Sequence, residues 1–149
     1  MHDIQESKPQ ISVDTFRYAI DEALAKGELA PVETPLTHYH TDQLYGRRIV
    51  VPTGAIFTTM VHKLDHIAVA LRGHITIIDQ DGNTHDVHAP DVFITKAGTQ
   101  RIIYVHDEIE WLTVHNCSEQ DDEKVRNLLG FETMKEYTEH KLLEAQTWR

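Results

Sequence analysis

The chain has 149 residues, 40% of them hydrophobic, and 24 acidic against 14 basic side chains give it a formal net charge of −10. That length suits one domain with a sizeable core. The acidic balance argues against nucleic-acid backbones and anionic membrane surfaces as partners, since both need a basic footprint, and it reads as solubilising charge. Cys117 is the single cysteine, so no intrachain disulfide can form, and a reducing, cytoplasmic compartment is expected. The opening residues lack the apolar stretch of a signal peptide, and no run reaches transmembrane length.

In chain order, residues 1–10 read as a mobile polar tail. Over 13–26 the spacing of Phe16, Ile20, Ala23 and Leu24 predicts a helix with one apolar face, started by Asp14 and stopped by Gly27. Residues 28–45 are expected to be irregular, broken by Pro31 and Pro35. The period then changes to two. Strands are predicted over 47–51, 56–62, 66–72, 74–79, 84–88, 91–95, 101–105 and 109–115, with Gly73 as a tight turn and Asp81-Gly82 as a hairpin signal. About eight short strands at regular spacing indicate a closed or double-sheet β fold. Beyond Cys117 the chain turns acidic and helical. Ser118 is the expected cap of a first helix carrying Val125, Leu128 and Leu129 on one face, Gly130 ends it, and 134–146 forms a second. The organisation is thus a tail, helix and irregular arm over 1–45, a barrel over 46–117 and helices over 118–149, all within one domain. The helices are expected to pack on the barrel or to serve a dimer contact.

The stretch from Pro52 to Asn116 resembles the cupin superfamily of small β-barrels. The first cupin motif places a glycine, a His-x-His pair, a glutamate and, seven residues on, a closing glycine. Here Gly54 stands near the opening, Gly73 at the close, His66 at the glutamate position, His62 at the second histidine and Met60 at the first. The second motif, Pro-x-Gly-x-x-His, is met by Lys96-Ala97-Gly98-Thr99-Gln100-Arg101, with Lys96 and Arg101 replacing its proline and histidine. The resemblance implies a mainly β fold, the cupin double-stranded β-helix or jelly roll, flanked by an N-terminal helix and C-terminal helices. It implies small-molecule binding in the barrel, and the superfamily includes dioxygenases, isomerases, decarboxylases and non-catalytic binders.

Strand alternation puts Thr58, Met60 and His62 on one face, as it does His66, Ala68 and Ala70. Phe57, Thr59, Val61, Ile67, Val69 and Leu71 then face outward and need cover from the helices or a second subunit. A site of two histidines is thin, because metals take three or four protein ligands. In a jelly roll the end of the last strand lies beside the start of the strand carrying His66. His115 is therefore the expected third ligand, with His106 and His40 as alternatives. Three imidazoles with open positions suit a divalent Fe, Mn, Ni or Zn ion. The competing reading is a set of solvent-facing or hydrogen-bonded side chains. Arg101 cannot bind metal. It either grips a carboxylate or phosphate, or forms an internal ion pair with Asp65 or Glu110. Met60, Tyr104 and Trp111 complete the candidate ligand-binding set. His85, His88 and His106 look like exposed turn or rim positions, and His38-Tyr39-His40 lies before the barrel as an extra strand or lid. Cys117 has no activating pattern beyond His115. The expected protein is a metal-dependent oxygenase or isomerase acting on a small anion, or alternatively a non-catalytic ligand- or protein-binding barrel. A homodimer is expected in either case.

Overall fold

A computed structural model describes residues 12–147; the expected polar tail over 1–10 lies outside them. Helix α1 (Val13–Ala25) is capped by Ser12, whose hydroxyl accepts from the Thr15 N–H at 3.2 Å. Asp14 is therefore not the cap. Its carboxylate instead accepts from the N–H groups of Met134 and Lys135 at 2.9 and 3.1 Å and from Gln100 Nε2 at 2.8 Å.

Strand β2 (Leu44–Val51) contains the strand expected over 47–51, and it pairs antiparallel with β1 (Leu36–His40), which lies in the stretch expected to be irregular. Alternation is weak there because Thr37, His38 and His40 supply no apolar period. The strand expected over 56–62 is broken at Thr59-Met60 into β3 (Ile56–Thr58) and β4 (Val61–His62). Strand β5 (His66–Asp79) runs straight through Gly73, and β6 (Thr84–His88) and β7 (Asp91–Thr95) follow it. The two last predicted strands are one, β8 (Arg101–Asn116). After β8 come α2 (Asp122–Leu129), β9 (Gly130–Phe131) and α3 (Met134–Thr147). The cap of α2 is Asp121, which accepts from the Glu123 N–H, rather than Ser118.

The main sheet is antiparallel in the order β1-β2-β8-β5-β6, with β3 joined to β8 and β7 to β5. The long strands β5 and β8 carry different partners at their two ends, and this lets one sheet fold over on itself into a double-stranded β-helix. The core fills the fold between the layers with Val51, Ala68, Ala70, Ile75, Ile77, Val87, Ile103, Val105, Ile109 and Trp111.

Gly73 is a bulge rather than a turn. The β5–β8 register shifts between Ala70 and Ile75, and Gly73 has φ +103°. A Cβ there would meet the Glu108 carbonyl oxygen at 2.3 Å and Ile109 Cα at 2.8 Å. The bulge reverses side-chain parity: even positions His66, Ala68 and Ala70 are buried before it, and odd positions Ile75 and Ile77 after it.

Strands β4 and β9 make a separate small sheet in which Val61 pairs with Phe131 and His62 with Gly130. Val61 is consequently fully buried instead of outward-facing. The C-terminal elements thus attach beside His62 and leave the outer face of β5 and β7 bare: Ile67, Leu71, Val92 and Ile94 stay exposed. No helix among the described residues is long and apolar enough to cross a membrane.

Candidate metal centre

Three chain segments bring His62, His66 and His115 together. His62 ends β4 just before the corner at 63–65, and His66 opens β5. His115 lies at the end of β8, where Ile67 pairs with Val114. Ring centroids are 4.4 Å apart for His62 and His66, 4.5 Å for His66 and His115, and 5.2 Å for His62 and His115. One ligand nitrogen from each lies within 4.8 Å of the other two. Such spacing is within the reach of a single first-row ion.

His66 and His115 are 7% and 4% exposed. Burial, which disfavours the imidazolium, is the main reason that His62 and His115 are pushed down to about 3 and His66 to about 4. The neighbouring imidazoles and Arg47 lower His62 and His115 further, and Arg101 lowers His62 and His66. At neutral pH the three rings are uncharged and their lone pairs are free for a Lewis acid. His115 Nε2 is hydrogen-bonded to Thr113 Oγ1 at 2.8 Å, which orients the ring. His66 Nδ1 is buried with no hydrogen-bond partner. An orphaned buried nitrogen is costly unless something satisfies it, and a metal ion fits this donor set.

Arg101 is half-buried, and its guanidinium donates to Thr95 Oγ1 at 3.1 Å and lies over the Phe93 ring at 5.7 Å. Thr95 is the strand partner of His66, whereas the backbone of Arg101 is in register with Asp79 at the far end of β5. Folding over of β5 thus brings its two ends to one mouth of the barrel. The expected ion pairs of Arg101 are not formed. Asp65 accepts from the Ala97 N–H at 2.8 Å and sits 3.4 Å from Lys96 Nζ. Glu110 is held on the outer face between Arg48 and Arg72.

Trp111 lies inside, edge-on to Phe93, and its buried indole N–H has no partner. Met60 is half-buried in the break between β3 and β4, so strand alternation does not carry from His62 to it. Tyr104 does not belong to this site: it is 42% exposed and packs against His106 on the outer face. His106 is there too, hydrogen-bonded to Thr76. His40 is 2.5 Å from Asp122, so neither alternative third ligand, His106 or His40, joins the cluster, and His38 is 2.5 Å from the Tyr45 hydroxyl.

Sequence reasoning missed Arg47. On β2 it is opposite Thr113, between Tyr45 opposite His115 and Ile49 opposite Trp111, and it faces the interior with them. Its charge bears on His62 and His115. The available signal was a charged residue at an inward position of an otherwise apolar alternation, Tyr45, Ile49 and Val51. Burial lowers both arginine pKa values from their usual range, Asp79 partly offsetting this at Arg101, and neither arginine has a carboxylate in ion-pair contact among the described residues. A cavity of about 320 Å³ opens at His62 and His115 and is walled on the far side by Leu128, Leu129 and His140 of α2 and α3.

No protein-family model matches the sequence, and no curated protein matches it. Solved structures do match the fold. A cupin superfamily protein from Desulfitobacterium hafniense superposes with a TM-score of 0.50 at 14% identity, over 59% of this chain and 81% of that one. KdgF from Halomonas gives 0.51 at 16% identity, over 63% and 90%. An RmlC-like cupin from Methanocaldococcus jannaschii, described as a double-stranded β-helix, gives 0.50 at 14%, over 63% and 86%. The fold of this chain is therefore that of the cupin superfamily, with added N- and C-terminal helices.

Proposed function

We propose that His62, His66 and His115 hold one divalent transition metal, Fe, Mn, Ni or Zn, and that a small anionic molecule binds beside it in the barrel. The supporting observation is the meeting of three neutral imidazoles with two half-buried guanidiniums, Arg47 and Arg101, neither of which is in ion-pair contact with a carboxylate of the described residues. A bound metal supplies a Lewis acid, or an oxygen-activating centre if it is iron. Arg101, fixed on Thr95 and Phe93, orients the anion, Arg47 balances its charge, and the Trp111 indole N–H offers a further donor. Helices α2 and α3 restrict water at the mouth. This reading is of a metal-dependent cupin of oxygenase or isomerase type in a reducing, cytoplasmic setting. Elemental analysis of untagged protein purified without chelator tests it. Near-stoichiometric metal in the wild type, reduced by one equivalent in H62A/H66A, supports the centre; equal metal contents in the two proteins overturn it.

A second reading, a non-catalytic anion binder, draws on Arg101 standing where cupins carry their second-motif histidine. It is separated from the first by whether H62A/H66A still binds malonate or inorganic phosphate as well as the wild type does. We further propose a homodimer through the bare outer face around Tyr39, Leu44, Leu71 and Leu112, which encloses a shallow apolar groove. Sedimentation equilibrium of the wild type beside L71E checks it, a wild-type monomer being the contrary result.

A further inference from the structure

The outer face of the barrel carries a second histidine cluster. The Gly73 bulge turns His74 outward, where its strand partner on β6 is His88. Asp86, two residues before His88 on the same face, is the partner of Thr76. A cross-strand pair and a diagonal neighbour are the closest side chains a sheet offers. One ligand atom each of His74, Asp86 and His88 lies within 4.8 Å of the others.

Two further observations mark this as more than a chance grouping. His74 Nε2 is buried without a hydrogen-bond partner, 3.8 Å from Asp86 Oδ1. Around it the polar groups are ordered: Thr76 Oγ1 donates to Asp86 Oδ1 at 2.7 Å. The threonine oxygen must then accept from His106 Nε2–H at 2.6 Å. His106 in turn stacks on His74 at 4.3 Å, and His74 on His88 at 3.9 Å. The relay His106–Thr76–Asp86 fixes the carboxylate as outer-sphere partners fix ligands in metal sites.

We propose that His74, Asp86 and His88 form a second, solvent-open divalent-metal site that takes Zn²⁺, with Thr76 and His106 as positioning residues. Two imidazoles and one carboxylate leave a fourth position for water, the pattern of an open zinc site. Lying on the solvent side of the β5–β6 hairpin, the ion would pin the edge strand β6 to β5. The proposal does not depend on the inner centre.

The test is equilibrium dialysis of the full chain against Zn²⁺ followed by elemental analysis. D86N/H88A should bind about one equivalent less than the wild type, whatever the inner cluster holds. H62A/H115A should retain an equivalent that the added D86N/H88A changes remove. T76A should weaken that equivalent roughly 10-fold or more. H85A, on the same strand but outside the cluster, is the control for adventitious imidazole binding and should match the wild type. Zn²⁺ should raise the melting temperature of H62A/H115A and leave that of the quadruple variant unmoved, which also shows that both fold. Equal zinc contents in wild type and D86N/H88A, or the same loss in H85A, overturn the proposal.

Discussion

The two histidine clusters each have one member on β5 and could hardly differ more. His66 and His74 are eight positions apart on β5, a separation that alternation would place on the same face. The Gly73 bulge sends one into the barrel beside two guanidiniums and the other onto the sheet surface beside a carboxylate. Interior burial makes the first set neutral ligands with no carboxylate among them, which is why an anion is the proposed second guest there. The outer set brings its own charge in Asp86, the complement of a cation. The same side chain thus meets opposite surroundings, and the bulge decides which.

Gly73→Ala should break the comparison most severely. It forces a non-glycine residue to φ +103° and a Cβ to 2.3 Å from the Glu108 carbonyl oxygen. We expect a loss of about 3 kcal/mol or more in urea unfolding, with both clusters disturbed together; a variant that loses one metal equivalent and keeps the other would separate them from the bulge. Next in size is anion binding. Arg101→Gln should weaken malonate or phosphate binding by about 1.5–3 kcal/mol, the worth of a charge-assisted hydrogen bond, and Arg47→Gln should act in the same direction. Titration calorimetry checks both, and an unchanged affinity in either variant removes that arginine from the site.

Acidification sharpens the contrast more gently. The inner imidazoles have folded-state pKa values of about 3 to 4, against 6.5 in the unfolded chain. Below pH 6.5 the unfolded state binds protons that the folded state refuses, so metal-free protein loses stability as pH falls from 6.5 toward 4. Urea midpoints at pH 7 and pH 5 measure this, and H62A/H115A should show a visibly flatter dependence. The smallest effect belongs to Tyr104→Phe, which should leave inner metal and anion binding unchanged, because the ring is on the other face.

Much of the inner site was legible. His62 and His66 stood out by their register to Gly73, and His115 followed from jelly-roll topology alone. Ala68 and Ala70 were visible as inward positions by period two. What failed did so where period two is interrupted. A glycine in a strand reads equally as turn or bulge, so β5 divides at Gly73 in the sequence reading, with His74 only the start of the next strand and His88 and His106 exposed turn or rim positions. Tyr104 stands between Ile103 and Val105, which are the buried neighbours, so strand parity puts its ring on the other face. Asp14 read as a local cap, because nothing in a sequence announces that its true partners, Met134 and Lys135, are far along the chain.

That carboxylate also constrains the order of assembly. Asp14 joins the start of α1 to the start of α3, and Arg17 reaches the Glu132 carbonyl at 2.6 Å. Contacts at such separations close late in folding. Every ligand of both clusters precedes β9 and α3 in the chain, and α2 and α3 wall the cavity at His62 and His115 from outside. In the finished protein, opening that seam is the route by which the ion would leave.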